Sequence, residues 1–375
     1  MSNNNNNSGA PHRRLRVGIT QGDTNGVGYE VILKSFAAPE LTELCTPVIY
    51  GSSKVMTYHR KAIALQAFQA NILKNNSQPK EGVVNLIEVI DEVKVELGTP
   101  DKAAGRAAFV ALEAAVSDLK SGNIDVLVTA PINKDTIQSD EFRFAGHTEY
   151  LEASLGDRDN DRDNALMILC NDKLRVALVT THLPLAAVPA AITVENVVEK
   201  LNVFNRSLRE DFNIVMPRIA VLALNPHAGD NGLLGTEEKT VITPAIKQAG
   251  DNGILCFGPY PADGFFGNEQ YRHFDGVLAM YHDQGLAPFK AIAVDDGVNF
   301  TAGLPYVRTS PDHGTGYDIA GQGIANENSL RQAIYTAIDI YRNRVRFEEM
   351  YRNPLKKLYV DRGKDNVVLD LTKDE

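Results

Sequence analysis

Cysteine is scarce: three residues in 375, Cys45, Cys170 and Cys256, odd in number, far apart and set in apolar surroundings. That excludes a disulfide framework and argues against a cysteine metal site, so each reads as a small core residue. Positive charge is also short, with 38 Lys and Arg against 48 Asp and Glu and a formal net charge of −10. No basic run interleaved with aromatics is present, so no nucleic-acid partner is expected, and an anionic ligand needs a local cluster of cations. No apolar run approaches the roughly 20 residues that cross a bilayer, and the N-terminus lacks the apolar stretch of a signal peptide. The expectation is a cytoplasmic protein with no membrane contact.

What is present is a chain that is 43% hydrophobic and long enough for two domains or one elongated α/β unit. Residues 1–14 open with five asparagines and read as a disordered tail. From residue 15 onward strands and helices alternate. Residues 15–20 read as a strand, 21–30 as a glycine-rich turn, and a helix follows through Val31, Ile32, Lys34 and Phe36. Gly22, Gly26 and Gly28 are not spaced as G-x-G-x-x-G, and no Lys-Ser/Thr ending follows, so a structural or substrate-facing turn is favoured over a dinucleotide site.

Strands at 47–51, 83–90 and 124–131, with helices at about 53–70 and 103–120, continue a mostly parallel α/β sheet. Residues 165–170 and 174–181, separated by Asn171, Asp172 and Lys173, predict a hairpin, so the middle of the chain mixes antiparallel with parallel strands. Further helices are expected at about 194–209 and 237–249. Residues 258–263, with two prolines, read as a stiff loop, 298–301 and 306–309 as short strands, 312–323 as a glycine-rich loop, and 329–347 as a closing helix.

Three apolar runs carry the candidate chemistry. Residues 174–182, 218–227 and 277–290 each read as a buried strand followed by a histidine: His182, His227 and His282. Strand ends are where open α/β sheets keep their sites. Three neutral imidazoles suit a divalent ion such as Zn²⁺ with a position left for a substrate oxygen, although nothing in the spacing requires all three to come from one copy of the chain. His12 falls in the tail, while His59 and His273 sit in charged helical contexts and read as solvated. His147 and Thr148 stand where a loop enters a helix, where they could meet an anion, with Thr148 more simply read as an N-cap. Lys290, Asn299 and Arg308 lie near short strands and could hold a phosphate or carboxylate, or be surface groups.

Six motifs in order resemble one family: Gly146-His147-Thr148-Glu149, 180–185 (TTHLPL), 224–229 (LNPHAG), 258–263 (GPYPAD), 281–285 (YHDQG) and 308–315 (RTSPDHGT). They are similar to the motifs of the 4-hydroxythreonine-4-phosphate dehydrogenase family, and the likeness runs from residue 15 to the closing helix. The resemblance implies an α/β, isocitrate/isopropylmalate dehydrogenase-like fold of two α/β/α subdomains flanking a cleft, 15–145 plus 291–375 and 146–290. It implies NAD- and divalent-metal-dependent (Zn, Mg or Co) oxidation of 4-phosphohydroxy-L-threonine to 2-amino-3-oxo-4-(phosphooxy)butanoate. That product would decarboxylate to 3-amino-2-oxopropyl phosphate, in pyridoxal 5′-phosphate biosynthesis.

By position, His182, His227 and His282 match the family's metal ligands, and His147, Thr148, Lys290, Asn299 and Arg308 its substrate-binding residues. The family works as a homodimer with ligands contributed across the interface. The segment 313–321 looks like the NAD loop of β-decarboxylating dehydrogenases, which gives His313, Gly314 and Asp318 as cofactor-binding, with Asp318 accepting from the ribose hydroxyls. The chain departs from the family in the turn 22–29, which lacks two prolines, and at Gly264. A dehydrogenase of phosphothreonate or erythronate phosphate, a three-histidine metal hydrolase and a non-catalytic metal binder are the alternatives.

Overall fold

The computed structural model describes residues 13–73, 77–156 and 165–352. Twelve strands make one sheet: β1 (Arg16–Thr20), β2 (Thr46–Gly51), β3 (Asn71–Leu73), β4 (Asn85–Glu88), β5 (Val126–Thr129), β6 (Leu166–Cys170), β7 (Arg175–Leu178), β8 (Arg218–Leu222), β9 (Leu255–Tyr260), β10 (Gly276–Ala279), β11 (Val298–Ala302) and β12 (Val307–Pro311). Their order across the sheet is β3-β4-β2-β1-β5-β12-β11-β6-β7-β10-β8-β9. Pairing is parallel except for β12 with β11, β11 with β6, and β6 with β7. The predicted hairpin is therefore β6–β7. Together with β11 it forms the antiparallel seam between two parallel arrays, and β11 and β12 return from the C-terminal third to pair between β5 and β6.

Apolar residues on both strand faces account for the parallel arrays. Every residue of β2, β5 and β10 is buried, as expected of strands covered by helices on each side. Helix Lys102–Lys120 lays ten residues, from Ala104 to Leu119, into the core. Helix Val194–Glu210 buries Val197, Leu201, Phe204 and Leu208 at 3–4 spacing, and the hydroxyl of Thr193 caps it by accepting from the Asn196 N–H. Cys45 and Cys170 are buried and Cys256 partly so. No helix among the described residues is long and apolar enough to cross a membrane.

Several expectations are corrected. The helix read over 53–70 is Ser53–Ala62, because Ala64 takes a left-handed backbone (φ 58°) and breaks it. The strand read over 83–90 shortens to β4, and β3 beside it was not foreseen. Residues 258–263 are not a loop throughout: they finish β9 and enter helix Ala262–Gly267. The run 277–290 is only briefly a strand. β10 ends at Ala279, and helix His282–Ile292 carries the rest.

His59 is not solvated. It is fully buried, donating from Nε2 to the Thr24 carbonyl at 2.8 Å, and burial lowers its pKa below the ordinary histidine value. His273 is exposed, as expected, and His12 lies outside the described residues, as does the expected tail up to residue 12. Arg13 pairs with both oxygens of Asp125 at 2.7 Å, and Arg14 donates to the Thr42 carbonyl.

Candidate active site

β7 and β10 are parallel neighbours, and the chain leaves their ends into His182 and His282. The two imidazole rings lie 5.9 Å apart, centre to centre. Each has a carboxylate on its Nδ1: Glu149 Oε1 at 2.9 Å from His182, and Asp283 Oδ1 at 2.7 Å from His282. A carboxylate there fixes the neutral tautomer with the proton on Nδ1 and leaves Nε2 as the electron-pair donor. Lys134 Nζ lies 3.2 Å from His182 Nε2. The bond from His182, with Lys134 nearby, holds the Glu149 carboxyl below its usual range against the opposing effect of burial.

Helix His147–Leu155 supplies Glu149 in its first turn. The residue before the helix is Gly146, extended and with no side-chain cap bond, so Thr148 is not the N-cap. His147 is already helical, which places Thr148 second in the helix with its side chain in the lining of the cleft.

The cleft has a volume of about 260 Å³ and is lined by His147, Thr148, Glu149, His182, His282, Lys134, Lys290, Asn299, Arg308, His313 and Gly314. Nine of the eleven candidate residues line it: two of the three metal candidates, all five substrate candidates, and His313 and Gly314 of the three cofactor candidates.

Arg308 is 2% exposed. Its Nε and Nη2 donate to Thr129 Oγ1 at 3.1 and 2.6 Å, and its Nη1 to Thr301 Oγ1 at 3.1 Å. Burial lowers its pKa from the ordinary value while Glu149 raises it, and the guanidinium stays cationic at neutral pH. Among the described residues no carboxylate pairs with it. His147 is held well below the ordinary histidine pKa, by burial first and then by Arg308 and Lys134, so its ring is neutral. His147 Nε2, Asn299 Oδ1, Glu149 Oε2 and His313 Nε2 are buried without a hydrogen-bond partner.

Lys290 is half-exposed and stands in the last turn of helix His282–Ile292, not beside a strand. Eight residues separate it from His282, or ~12 Å along the axis, so this helix and not the strand before it sets the two groups at opposite ends of the cleft. Lys290 Nζ donates to the Asp312 carbonyl at 3.1 Å and lies 3.3 Å from Asp312 Oδ1. Burial raises the Asp312 carboxyl, opposed by Lys290.

A second cavity of about 300 Å³ shares Lys290, Asp312, His313 and Gly314 with the first and continues past Val27, Val294, Ile319 and Asn326. The glycine-rich turn brackets the 313–321 loop beside it. The Val27 N–H donates to the Thr315 carbonyl at 2.8 Å, and the Tyr317 hydroxyl to Asp23 Oδ2 at 2.7 Å. A Cβ on Gly26 would stand 2.6 Å from the Thr315 carbonyl, which is why this approach needs glycine. Asp318 lines neither cavity; its carbonyl accepts from Gln322 Nε2.

His227 stays apart from the other two histidines. It follows β8, the next strand beyond β10, but it is exposed and does not line the cleft. From His227 to Asn231 the backbone is left-handed, and buried Glu238 ties the loop down by accepting from the Leu224 and Asn225 N–H groups. Among the described residues no three His, Cys, Asp or Glu side chains gather as a metal-binding group. Sequence reasoning missed Lys134 and Glu149, which meet His182 from 48 and 33 residues away. It also missed the threonines that hold Arg308.

The sequence profile of pyridoxal phosphate biosynthetic protein PdxA matches residues 43–337. The chain belongs to the PdxA family. A 4-hydroxythreonine-4-phosphate dehydrogenase of Bacteroides thetaiotaomicron is 58% identical over 361 residues, which is 96% of this chain and 97% of that one. One from Sulfurihydrogenibium is 42% identical over 88% of this chain and 99% of its own. The crystal structure of a 4-hydroxythreonine-4-phosphate dehydrogenase from Klebsiella pneumoniae, 32% identical, superposes with a TM-score of 0.72 over 87% of this chain and 99% of that chain. The resemblance read from the six motifs and the α/β fold class are both borne out, and as a PdxA-family member the chain falls among oxidoreductases.

Proposed function

We propose that this PdxA-family chain oxidises 4-phosphohydroxy-L-threonine with NAD and a divalent metal ion (Zn, Mg or Co), giving a β-keto acid that loses CO₂ to leave 3-amino-2-oxopropyl phosphate. The observation that carries the reading is Arg308, a fully buried cation with no carboxylate partner among the described residues, in one cleft with His182 and His282. Three of its five N–H donors go to threonine hydroxyls, and the remaining two suit an anionic oxygen.

The donor chemistry fits a divalent ion. His182 and His282 each have Nδ1 engaged by a carboxylate, the arrangement that orients an imidazole for a metal at Nε2. His227 does not join them within one copy, and its exposed loop, following a strand of the same parallel set, suits donation to the cleft of a second copy. We read the working unit as a homodimer for that reason. When bound, the metal acts as a Lewis acid at the substrate's hydroxyl and NAD takes the hydride.

The chain's own residues do the rest. Arg308, with His147, Thr148 and Asn299, holds one anionic group of the substrate, and Lys290 approaches from the far end of its helix. His147, kept neutral, adds a hydrogen bond there without a second buried charge. Glu149 and Asp283 keep two imidazoles in register. The second cavity, beginning at His313 and Gly314, suits the cofactor, and Asp318 stands on the turn Tyr317–Ile319 outside its lining, so its part in holding the ribose rests on the resemblance alone. The return of β11 and β12 supports grouping 15–145 with 291–375 as one subdomain and 146–290 as the other.

The test is metal-dependent NADH formation on 4-phosphohydroxy-L-threonine against phosphothreonate and erythronate phosphate. Turnover of the aminated substrate that is abolished by a chelator is expected. Preference for an acid lacking the amine, or turnover without NAD, would overturn the reading.

A further inference from the structure

The Nε2 electron pair of His182 has two claimants. Its Nδ1 proton is committed to Glu149 Oε1 at 2.9 Å, so Nε2 is the acceptor nitrogen, and the Lys134 ammonium lies 3.2 Å from it. A nitrogen with one in-plane electron pair serves one electrophile: an ammonium N–H or a metal ion, not both. Lys134 lines the same cleft as His182 and His282, and its neighbourhood offers a second resting place. Its Cε and the Glu149 carboxylate both border Gly146, where an added Cβ would stand 3.7 Å from Lys134 Cε and 3.5 Å from Glu149 Oε2. Glu149 Oε2 is buried and has no hydrogen-bond partner. Lys134 Cε and the Glu149 carboxylate thus flank the same stretch of backbone.

We infer that Lys134 is a positioning residue that competes with the metal ion for His182 Nε2 and, when displaced, moves to Glu149 Oε2. The inference rests on the metal reading given above. Its consequence is that the site binds its ion more weakly than its imidazoles alone would allow, and that ion entry shifts an ammonium within the cleft. Removing the ammonium lifts the competition and also removes a positive charge from beside a dication, and both effects act in the same direction.

The experiment is calorimetric titration of full-length protein with Zn²⁺ alone, in competition with a chelator, for the wild type, Lys134→Met, Lys134→Gln and His182→Ala. Losing one charge-assisted hydrogen bond to the acceptor corresponds to roughly tenfold tighter Zn²⁺ binding in both Lys134 variants. His182→Ala is expected to lose binding. A residue that merely shapes the site would give unchanged or weaker binding in both Lys134 variants, and that result overturns the inference while leaving the metal reading intact. Wild-type and His182→Ala proteins that bind Zn²⁺ equally would overturn both. Lys134 is exposed, so the variants are expected to fold, and a thermal melt of each confirms it before titration.

Discussion

Replacing Arg308 with methionine separates the cost of a buried charge from its use. In the wild type the guanidinium is enclosed between β5 and β11 and held by two threonine hydroxyls, with no carboxylate in contact with it among the described residues and Glu149 acting on it only at a distance. Breaking a buried ion pair usually costs 3–5 kcal/mol because it strands the other charge, but here no partner is stranded. Thr129 and Thr301 lose donors, at about 1–2 kcal/mol, while removal of a cation with no contact ion pair from the interior offsets much of that. Arg308→Met is therefore expected to stay within about 2 kcal/mol of wild-type stability. Function should respond very differently. Truncating one side of a desolvated, hydrogen-bonded charge pair with a bound anion costs about 2–5 kcal/mol, so kcat/KM should fall at least about 30-fold. Inorganic phosphate should raise the melting temperature of the wild type and not of the variant. Denaturant titration, kinetics and a phosphate series measure the three quantities. A strongly destabilised Arg308→Met protein whose surviving folded fraction keeps its KM would refute the reasoning.

Two further outcomes follow from the interior. Burial depresses the pKa of His59 in the folded state below the roughly 6.5 of an unfolded histidine. Protons therefore favour the unfolded chain: His59 leaves stability intact above pH about 6.5 and erodes it as pH falls toward the folded-state value. His59→Gln should flatten the stability–pH profile just below that point, though only in part because His147 titrates in the same sense; an unchanged profile in urea titrations across that window would count against it. Gly105 lies against the chain segment that carries Lys134, and a Cβ there would overlap the Thr136 carbonyl. Gly105→Ala should cost about 1–3 kcal/mol as an overpacked contact, lowering the denaturant midpoint, and an unmoved midpoint would contradict that packing.

Strands buried on both faces were legible because nothing else explains an apolar run of that length, and β1, β2 and β5 fall where the pattern put them. Edges were less legible. β3 has three half-exposed residues and no pattern to read, and the helix at Ser53 continues in sequence past the residue whose backbone ends it. Helix His282–Ile292 was concealed by its own composition: Leu286 and Phe289 pack beneath it like strand residues, and Pro288 argues against a helix. His59 could have been found. Its charged neighbours suggested a solvated face, but Val55 and Met56, four and three residues earlier, are buried on the same side of the helix. In the site, the histidines and anion-binding residues were marked by strand ends and by resemblance. Lys134 and Glu149 were not, since what gives them meaning is a contact with His182 that only the folded chain makes.

The proposed oxidoreductase site needs His182 and His282 from one copy of the chain and His227 from another. Mixing His182→Ala with His227→Ala protein after subunit exchange, and following NADH formation from 4-phosphohydroxy-L-threonine, tests this directly. Each variant alone should be inactive. In the mixture about half the dimers are hybrid and each hybrid holds one intact site, so about a quarter of wild-type activity should return. No recovery on mixing, or full activity of His227→Ala alone, would contradict a site shared between two copies.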